Sequence, residues 1–292
     1  MMRPLGAQPE DCLEYLDAKS SGAYDWTDLV WVEHCDRIKR LQRISAELPV
    51  NQQPQFYDGT VLARDLPGSI NIDVPILRVV FPDRSFFDTN QSSVKASAIV
   101  VARIIAESLG KEPPDVVMFV AGHADARASR RYNQVLSIDR ANALAEVVLG
   151  LGTGDASVWR VGFGEDLPLV AGASEEAYDR NRRIEFLFSA RPEALAVWMS
   201  RAQTSELCQG RTRREIDACK RSLNLTRPYE VVEIVSKPRQ RDPVPVSAGG
   251  GKNTRISQGG GDEASVTSGE KGAMQLSRGR RISLDLSRGK AS

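Results

Sequence analysis

The sequence is poor in the residues from which metal centres and disulfide frameworks are built. Its 292 residues include 2 His and 4 Cys. Two histidines exclude a metal site made of three or four of them, and four cysteines are too few to frame a fold by disulfides. No zinc-ligand spacing links His34 and Cys35 to the other cysteines, so we expect neither a metal nor a cofactor.

Long apolar runs and an excess of one charge are absent as well. The apolar stretch at residues 99–105 is too short to cross a bilayer, so no membrane-spanning helix is predicted. The 39 Lys+Arg against 38 Asp+Glu give a net charge of +1, which excludes a generally basic nucleic-acid binder. Glu10 and Asp11 lie where a secretory signal would be apolar, and the residues before Cys12 form no lipid-attachment motif. We therefore expect a chain without an export signal.

Composition divides the chain into four regions. Residues 1–69 predict a helix over 26–48 followed by a linker, and residues 70–192 are the dense globular part. Residues 193–236 predict two short helices, around 195–204 and 214–223. Residues 237–292 are rich in Gly and Ser and carry 11 Lys and Arg against 5 Asp and Glu. This last region is expected to be a disordered basic tail, since it has too few apolar residues to build a core.

The globular part alternates strand and helix patterns. Strands are predicted over 69–81, with Pro75 at a sheet edge, and over 115–121, 158–163 and 183–188. Helices are predicted over 92–109, capped by Ser92 or Ser93, and over 131–149, ending at Gly150. This order predicts an α/β fold, a β-α-β-α-β-β sandwich with the helices on one face of a mixed sheet.

One stretch carries candidate chemistry, at residues 121–144. Asp125 lies in a strand-to-helix loop, where α/β sheets commonly bind ligands. The next helix places Asn133, Ser137 and Arg140 on one face, which continues as apolar Leu144. A carboxylate binds an ammonium group and a guanidinium binds a carboxylate, so Asp125 and Arg140 could hold a zwitterion. The alternative is a plain salt bridge between the two side chains.

Several motifs occur together in a known order. They are Gly122-His123-Ala124-Asp125, then Tyr132-Asn133, Leu136-Ser137 and Arg140-Ala141, with Phe86–Asn90 (FFDTN) before them and Gly162–Pro168 (GFGEDLP) and Asn181–Phe186 (NRRIEF) after them. In this set and order, residues 75–190 resemble the OmpA C-terminal domain family, which includes MotB-type and Pal-type cell-wall anchors.

The resemblance implies non-covalent binding of peptidoglycan, in a pocket that holds the diaminopimelate residue of the stem peptide. Asp125 and Arg140 match the family's key Asp and Arg. It also implies a location in the cell envelope, periplasmic and associated with the outer membrane. The other residues that we expect to line or support the pocket are Asp88, Asn90, His123, Asn133, Ser137 and Arg182 or Arg183, one of which is expected to pack across the sheet instead.

Two positions depart from the family pattern. Ala124 stands where the family usually has Thr, so one side-chain hydroxyl is missing, at a cost of about 1 kcal/mol in a hydrogen bond. Ala128 stands where the family favours Gly. If that turn requires a positive φ, Ala strains it by roughly 1 kcal/mol.

Other interpretations are weaker. A catalytic triad of His123, Asp125 and Ser137 is disfavoured because Ser137 lies mid-helix without a sharp turn or oxyanion donors. Cys208 and Cys219 either pair or stay free thiols. The tail could contact polyanions, anionic lipids or a partner protein, but it lacks aromatic residues for base stacking, so no specific nucleic acid is expected.

The prediction is therefore a non-enzymatic protein whose partner is peptidoglycan. An envelope or membrane protein partner and a homodimer stay open. We expect Arg140→Ala to lose binding and leave the fold intact. The alternative is a protein-interaction module that uses the same fold without binding the cell wall.

Overall fold

A computed structural model of the chain describes residues 3–4, 12, 26–113, 116–207, 212, 229–237, 247–248, 252–253, 275–285 and 290–291. The helices are α1 (Trp26–Ser45), α2 (Ile99–Leu109), α3 (Arg130–Leu151), α4 (Glu175–Asn181) and α5 (Pro192–Leu207). The strands are β1 (Arg3–Pro4), β2 (Gln55–Val61), β3 (Val74–Pro82), β4 (Val117–His123), β5 (Ser157–Gly164), β6 (Arg183–Ser189), β7 (Tyr229–Lys237), β8 (Ser247–Ala248), β9 (Lys252–Asn253), β10 (Gln275–Asp285) and β11 (Lys290–Ala291).

The chain divides into two compact units. Residues Met1–Val235 and Arg278–Ser292 form the first, and Ser236–Ser277 form the second. Within the second unit, β8 and β9 pair antiparallel. Among the described residues, no helix is long and apolar enough to cross a membrane.

The main sheet is mixed, with nine strands in the order β1-β2-β3-β6-β4-β5-β7-β10-β11. Strands β4 and β5 run parallel, and β6 is antiparallel to both β3 and β4. Because β3 and β4 therefore share a direction, α2 and α3 are the crossover helices of a β-α-β-α-β series. The predicted α/β fold is confirmed.

Besides four two-residue strands, three longer strands lie where no strand was predicted. Strand β2 occupies the expected linker and pairs with β3 along its whole length. Strand β7 pairs with β5 through Val158, Trp159 and Arg160. Strand β10 lies within the expected tail, so that part of the tail is ordered. The second predicted helix of residues 193–236, at 214–223, lies outside the described residues, as do Cys208 and Cys219.

Two local predictions differ in detail from the structure. Strand β3 is internal, with β2 on one side and β6 on the other. Pairing with β6 begins only at Leu77, so Pro75 itself has a strand neighbour on the β2 side alone, where a missing N–H can be tolerated. Helix α2 begins at Ile99 after a short 3-10 turn, and its N-cap is Ala98 rather than Ser92 or Ser93. The residues before it form a loop that contributes to the site described below.

Helix α3 packs closely on the sheet because two glycines face it. A Cβ atom at Gly122 would lie 2.2 Å from the Ser137 carbonyl oxygen, and one at Gly162 would lie 2.6 Å from the Ile138 backbone nitrogen. Neither position can hold a side chain without moving the helix. The role of Gly122 is this close approach of helix and sheet.

The opposite face of the sheet is covered by helix α5. The apolar core on this face combines residues of α5 with alternate residues of the strands. The same face holds a buried ionic cluster, in which Glu185 accepts hydrogen bonds from Arg78 (2.6 and 2.9 Å) and Arg183 (2.6 Å). The Arg78 guanidinium lies over the rings of Tyr57, at 5.1 Å, and Trp198, at 5.8 Å. Burial raises the pKa of Glu185, but the two arginines outweigh burial and hold it well below its ordinary value.

A disulfide joins Cys12 to Cys35 of α1. The spacing of Cys35 in the sequence does not predict this pairing. No group of three or more His, Cys, Asp or Glu that could hold a metal occurs among the described residues. Helix α1 is also tied to α2 and the turn after it, since Arg37 and Arg40 both donate to Glu112 in that turn and Arg40 Nε donates to Ser108 Oγ at 3.1 Å. Helix α1 therefore packs against the globular part.

Candidate ligand-binding site

A cavity of about 640 Å³ lies where strands β3 and β4 end. It is bounded by the loop after β3, the loop between β4 and α3, the first turns of α3 and the end of α4. Its lining residues are Asp83, Arg84, Phe87, Thr89, Asn90, Ala124, Asp125, Arg127, Ala128, Tyr132, Asn133, Leu136, Arg140, Asp179 and Arg182.

Asp125 is nearly buried and is held by two arginines. Its Oδ2 accepts hydrogen bonds from Arg127 (2.8 and 3.1 Å) and from Arg182 (2.6 Å). Its Oδ1 accepts the backbone N–H of Arg127 at 3.1 Å. Burial raises the pKa of Asp125, but these hydrogen bonds outweigh it and lower the pKa below its ordinary value. The side chain is therefore an anion at neutral pH.

Arg140 is also buried, and it has different partners. Its Nη1 donates to Asp83 Oδ2 at 2.7 Å, its Nε to the Gln91 carbonyl at 2.8 Å, and its Nη2 to the Asp88 carbonyl at 3.4 Å. Its guanidinium lies 5.1 Å from the centre of the Phe87 ring. Asp125 and Arg140 therefore do not form the direct salt bridge that was the alternative prediction from the sequence. Asp125 pairs with Arg127 and Arg182, and Arg140 pairs with Asp83.

Asn133 links the loop that carries Asp125 to the loop after β5. Its Nδ2 donates to the Asp125 carbonyl at 2.8 Å, to the Ala128 carbonyl at 3.3 Å, and to the Glu165 carboxylate. Ser129, four residues before Asn133, is the N-cap of α3. Its hydroxyl oxygen accepts a hydrogen bond from the Tyr132 N–H. Ala128 has no positive φ, so the strain considered for that position does not arise.

The remaining predicted residues divide into two groups. Asn90 lines the pocket with a left-handed backbone, at φ 59°, and Arg182 bridges Asp125 and Asp179. Asp88 is exposed and does not line the pocket; it supports the pocket only through its carbonyl oxygen, which accepts from Arg140. Three further residues do not line the pocket: Ser137, His123 and Arg183.

The prediction that these three residues line the pocket is wrong, and the structure shows why for each of them. The Ser137 hydroxyl donates to the Gln134 carbonyl at 3.0 Å and accepts the Gly164 N–H at 2.9 Å, where α3 contacts β5. His123 follows Gly122 in β4 and so points to the other sheet face, where it stacks on Phe163 at 5.1 Å. Arg183 donates to Glu185 in the ionic cluster on that face. Ser137, His123 and Asp125 therefore do not come together as a triad.

Several charged lining residues were missed from the sequence. Asp83 follows β3 directly, and Arg127 lies two residues after Asp125. Arg84 donates to Asp179 at 2.6 Å. All three carboxylates of the lining are thereby paired with arginines. The only sequence signal for these residues is that they flank the predicted motifs, because the pairing itself depends on the folded chain.

Comparison with known proteins agrees with this architecture. Residues 86–182 match the model of the OmpA family. The peptidoglycan-associated lipoprotein of Legionella pneumophila is 33% identical over 104 residues, which are 36% of this chain and 58% of that protein. Outer membrane porin F of Pseudomonas aeruginosa is 31% identical over 129 residues, covering 41% of this chain and 36% of that protein. The chain thus spans only part of the length of these relatives.

A solved structure is similar over a limited region. The peptidoglycan-associated lipoprotein from Burkholderia pseudomallei is 29% identical, with 35% of this chain and 86% of that chain covered and a TM-score of 0.32. The family match covers the pocket-lining residues from Phe87 to Arg182, and Asp83 and Arg84 lie just before it. The chain contains a domain of the OmpA family, at residues 86–182.

Proposed function

We propose that this chain binds peptidoglycan non-covalently and anchors an envelope protein or complex to the cell wall. Two observations support this: the OmpA-family domain, and relatives that are named peptidoglycan-associated lipoproteins. The proposed role is binding without catalysis.

One observation carries the proposal: Asp125 and Arg140 line the same pocket while holding unused bonding capacity. Asp125 Oδ1 accepts one hydrogen bond within the described structure, and a carboxylate oxygen can accept two. Arg140 uses three of its donors there, and a guanidinium has five. One N–H on each terminal nitrogen is left, which suits a ligand carboxylate.

The proposed ligand group is the diaminopimelate residue of the stem peptide. Its free end carries an ammonium and a carboxylate on one carbon. Asp125 would accept from the ammonium and Arg140 would donate to the carboxylate. The ligand group is small, so we expect a dissociation constant of about micromolar to millimolar for one stem peptide. Many sites on one polymer would raise the apparent affinity if the protein oligomerises.

The proposed location is the periplasmic side of the envelope. The Cys12–Cys35 disulfide supports an oxidising compartment, because structural disulfides persist outside the cytoplasm. The peptidoglycan layer lies in the same compartment.

The test is sedimentation of the purified protein with isolated sacculi that contain diaminopimelate. Wild type is expected to sediment with them, and Asp125→Ala is expected to lose most of that binding. Asp139→Ala is the matched control, because Asp139 is an exposed aspartate on α3 outside the pocket. Equal sedimentation of wild type and Asp125→Ala would contradict the proposed contact. Absence of wild-type binding would favour the protein-interaction module instead.

A further inference from the structure

Strand β7 begins 47 residues beyond the family match, yet its first residue reaches the loops that support the pocket. Tyr229 is buried, with its ring 5.1 Å from that of Phe163 in β5. Its hydroxyl donates to the carboxylate of Asp166, in the loop after β5. Burial and this hydrogen bond raise the pKa of Tyr229, so the hydroxyl stays a donor at physiological pH.

Asp166 connects Tyr229 to the start of α3. Its other oxygen accepts from Arg130 Nη2 at 2.7 Å, and Arg130 also contacts the tyrosine hydroxyl. Arg130 is the first residue of α3 and follows directly on the loop that carries Asp125. Tyr229, Asp166 and Arg130 therefore fix the entry to that helix.

Glu165, the residue before Asp166, connects the loop after β5 to the pocket. Glu165 accepts from Asn133, whose amide also donates to the Asp125 carbonyl. The loop after β5 is thus held from two sides, at Glu165 by Asn133 and at Asp166 by Tyr229 and Arg130. A change in the position of Asp166 would be passed to the backbone of Asp125 through these bonds. Tyr229, Asp166, Asn133 and Asp125 are buried, and Arg130 and Glu165 are half-buried.

We propose that Tyr229, which lies outside the family domain, is a positioning residue for the ligand site and holds the Asp125 loop in its binding geometry through Asp166 and Arg130. This inference rests on the proposed function. It implies that the C-terminal flank is part of the binding unit of this chain, and that the affinity of the pocket depends on a single tyrosine hydroxyl.

The experiment compares the whole chain as wild type, Tyr229→Phe and Glu230→Gln. Phe keeps the ring that packs on Phe163 and removes only the hydroxyl. Glu230 is the matched control, since it is the next residue of β7 and pairs with Arg281 at the surface. Binding is titrated with a soluble disaccharide tetrapeptide that contains meso-diaminopimelate, at a temperature where all variants are folded. Amide resonances of residues 125–129 are recorded by NMR in the same samples.

We expect Tyr229→Phe to raise the dissociation constant by about fivefold or more, the lower end of coupling between sites in proteins, and to shift the 125–129 resonances. Glu230→Gln should do neither. A loss of thermal stability alone, with wild-type affinity and unmoved resonances, would mean that the hydroxyl has only a structural role and would overturn the inference.

Asp125→Ala separates this inference from the proposed function. If wild type binds, Asp125→Ala does not, and Tyr229→Phe binds like wild type, the inference fails and the function stands. If wild type does not bind the muropeptide, the function fails and the inference falls with it.

Discussion

Arg140 of helix α3 and Asp83 at the end of strand β3 form a buried ion pair, with 2.7 Å between Nη1 and Oδ2. The pair joins the helix to the loop after β3, which the same guanidinium also contacts at two carbonyl groups. Arg140 therefore stabilises the wall of the pocket as well as presenting donors to a ligand.

Substitution of Arg140 should separate these two roles. Arg140→Ala leaves Asp83 buried without its cation, so we expect the free energy of unfolding to fall by about 3 kcal/mol. This revises the expectation, made from the sequence, that the variant would keep its fold intact. Arg140→Lys keeps a cation but loses the planar donors, so we expect a smaller loss of stability with a clear loss of sacculus binding.

Urea denaturation measures the stability of both variants. Arg131→Ala serves as the control, because Arg131 is exposed on the same helix. An Arg140→Ala protein as stable as wild type would show that the ion pair contributes little.

Acid should destabilise the protein through its two histidines. Burial lowers the pKa of His123 well below its ordinary value, Arg183 and Arg78 lower it further, and Glu185 opposes them without prevailing. Burial lowers the pKa of His34 too. The unfolded chain thus takes up protons near pH 6.5 and the folded chain only at lower pH. Stability is complete above about pH 6.5 and falls below it, by up to about 1.4 kcal/mol per pH unit for each histidine.

The measurement is thermal unfolding of wild type and His123→Phe between pH 7.5 and 5. Phenylalanine keeps a ring against Phe163 and cannot take up a proton. The variant should therefore lose less stability on acidification than wild type, since only His34 still contributes. Identical pH dependence of the two proteins would contradict a neutral buried His123.

Gly122 should not tolerate a side chain. In Gly122→Ala the new Cβ would overlap the Ser137 carbonyl, so α3 must move away from the sheet. We expect a loss of about 3 kcal/mol or more, at the upper end of overpacking costs. Gly150→Ala, in helix α3, is the control, because a Cβ atom at that position would meet nothing within 4 Å. It should be neutral or stabilise by up to about 1 kcal/mol. Chemical denaturation compares the two, and equal stability would refute the close approach.

Removal of the Cys12–Cys35 disulfide should lower stability by about 3 kcal/mol. The bond closes a loop across a sequence separation of 23 residues, and loops of that size give roughly this value. The double variant Cys12→Ala/Cys35→Ala avoids an unpaired thiol and leaves Cys208 and Cys219 untouched. Its melting temperature under oxidising conditions is compared with that of wild type, and an unchanged value would mean that the link does not constrain the unfolded chain.

The central strands and helices could be predicted because their apolar residues repeat at strand or helix spacing. Helix α3, for example, follows from the spacing of Arg140, Leu144 and Val148. Strands β2, β7 and β10 could not be predicted in the same way. Strands β7 and β10 add to the sheet beside strands that are distant in sequence, and Gly59 in β2 is unfavourable in a strand. Their pairing depends on an edge that only the folded domain presents.

The pocket could be predicted in part for a related reason. Asp125, Asn133 and Arg140 belong to a motif, and the motif fixes which loop and helix carry them. Their partners do not follow from it: Asp83 and Arg127 face them only in the folded chain. Ser137 shares the inward side of α3 with Arg140, yet it lies against β5, because an inward side chain can meet the sheet as easily as a cavity.

The side chains that shield the buried ionic cluster should influence how this part of the sequence varies among related chains. Arg78, Glu185 and Arg183 are shielded by Tyr57 of β2 and Trp198 of α5, and all five residues lie outside the family match at 86–182. A related chain that kept the charged cluster and lost Tyr57 or Trp198 would expose ionic groups whose desolvation these rings compensate. Residues 57, 78, 185 and 198 should therefore vary together as lineages diverge, as one coevolving set.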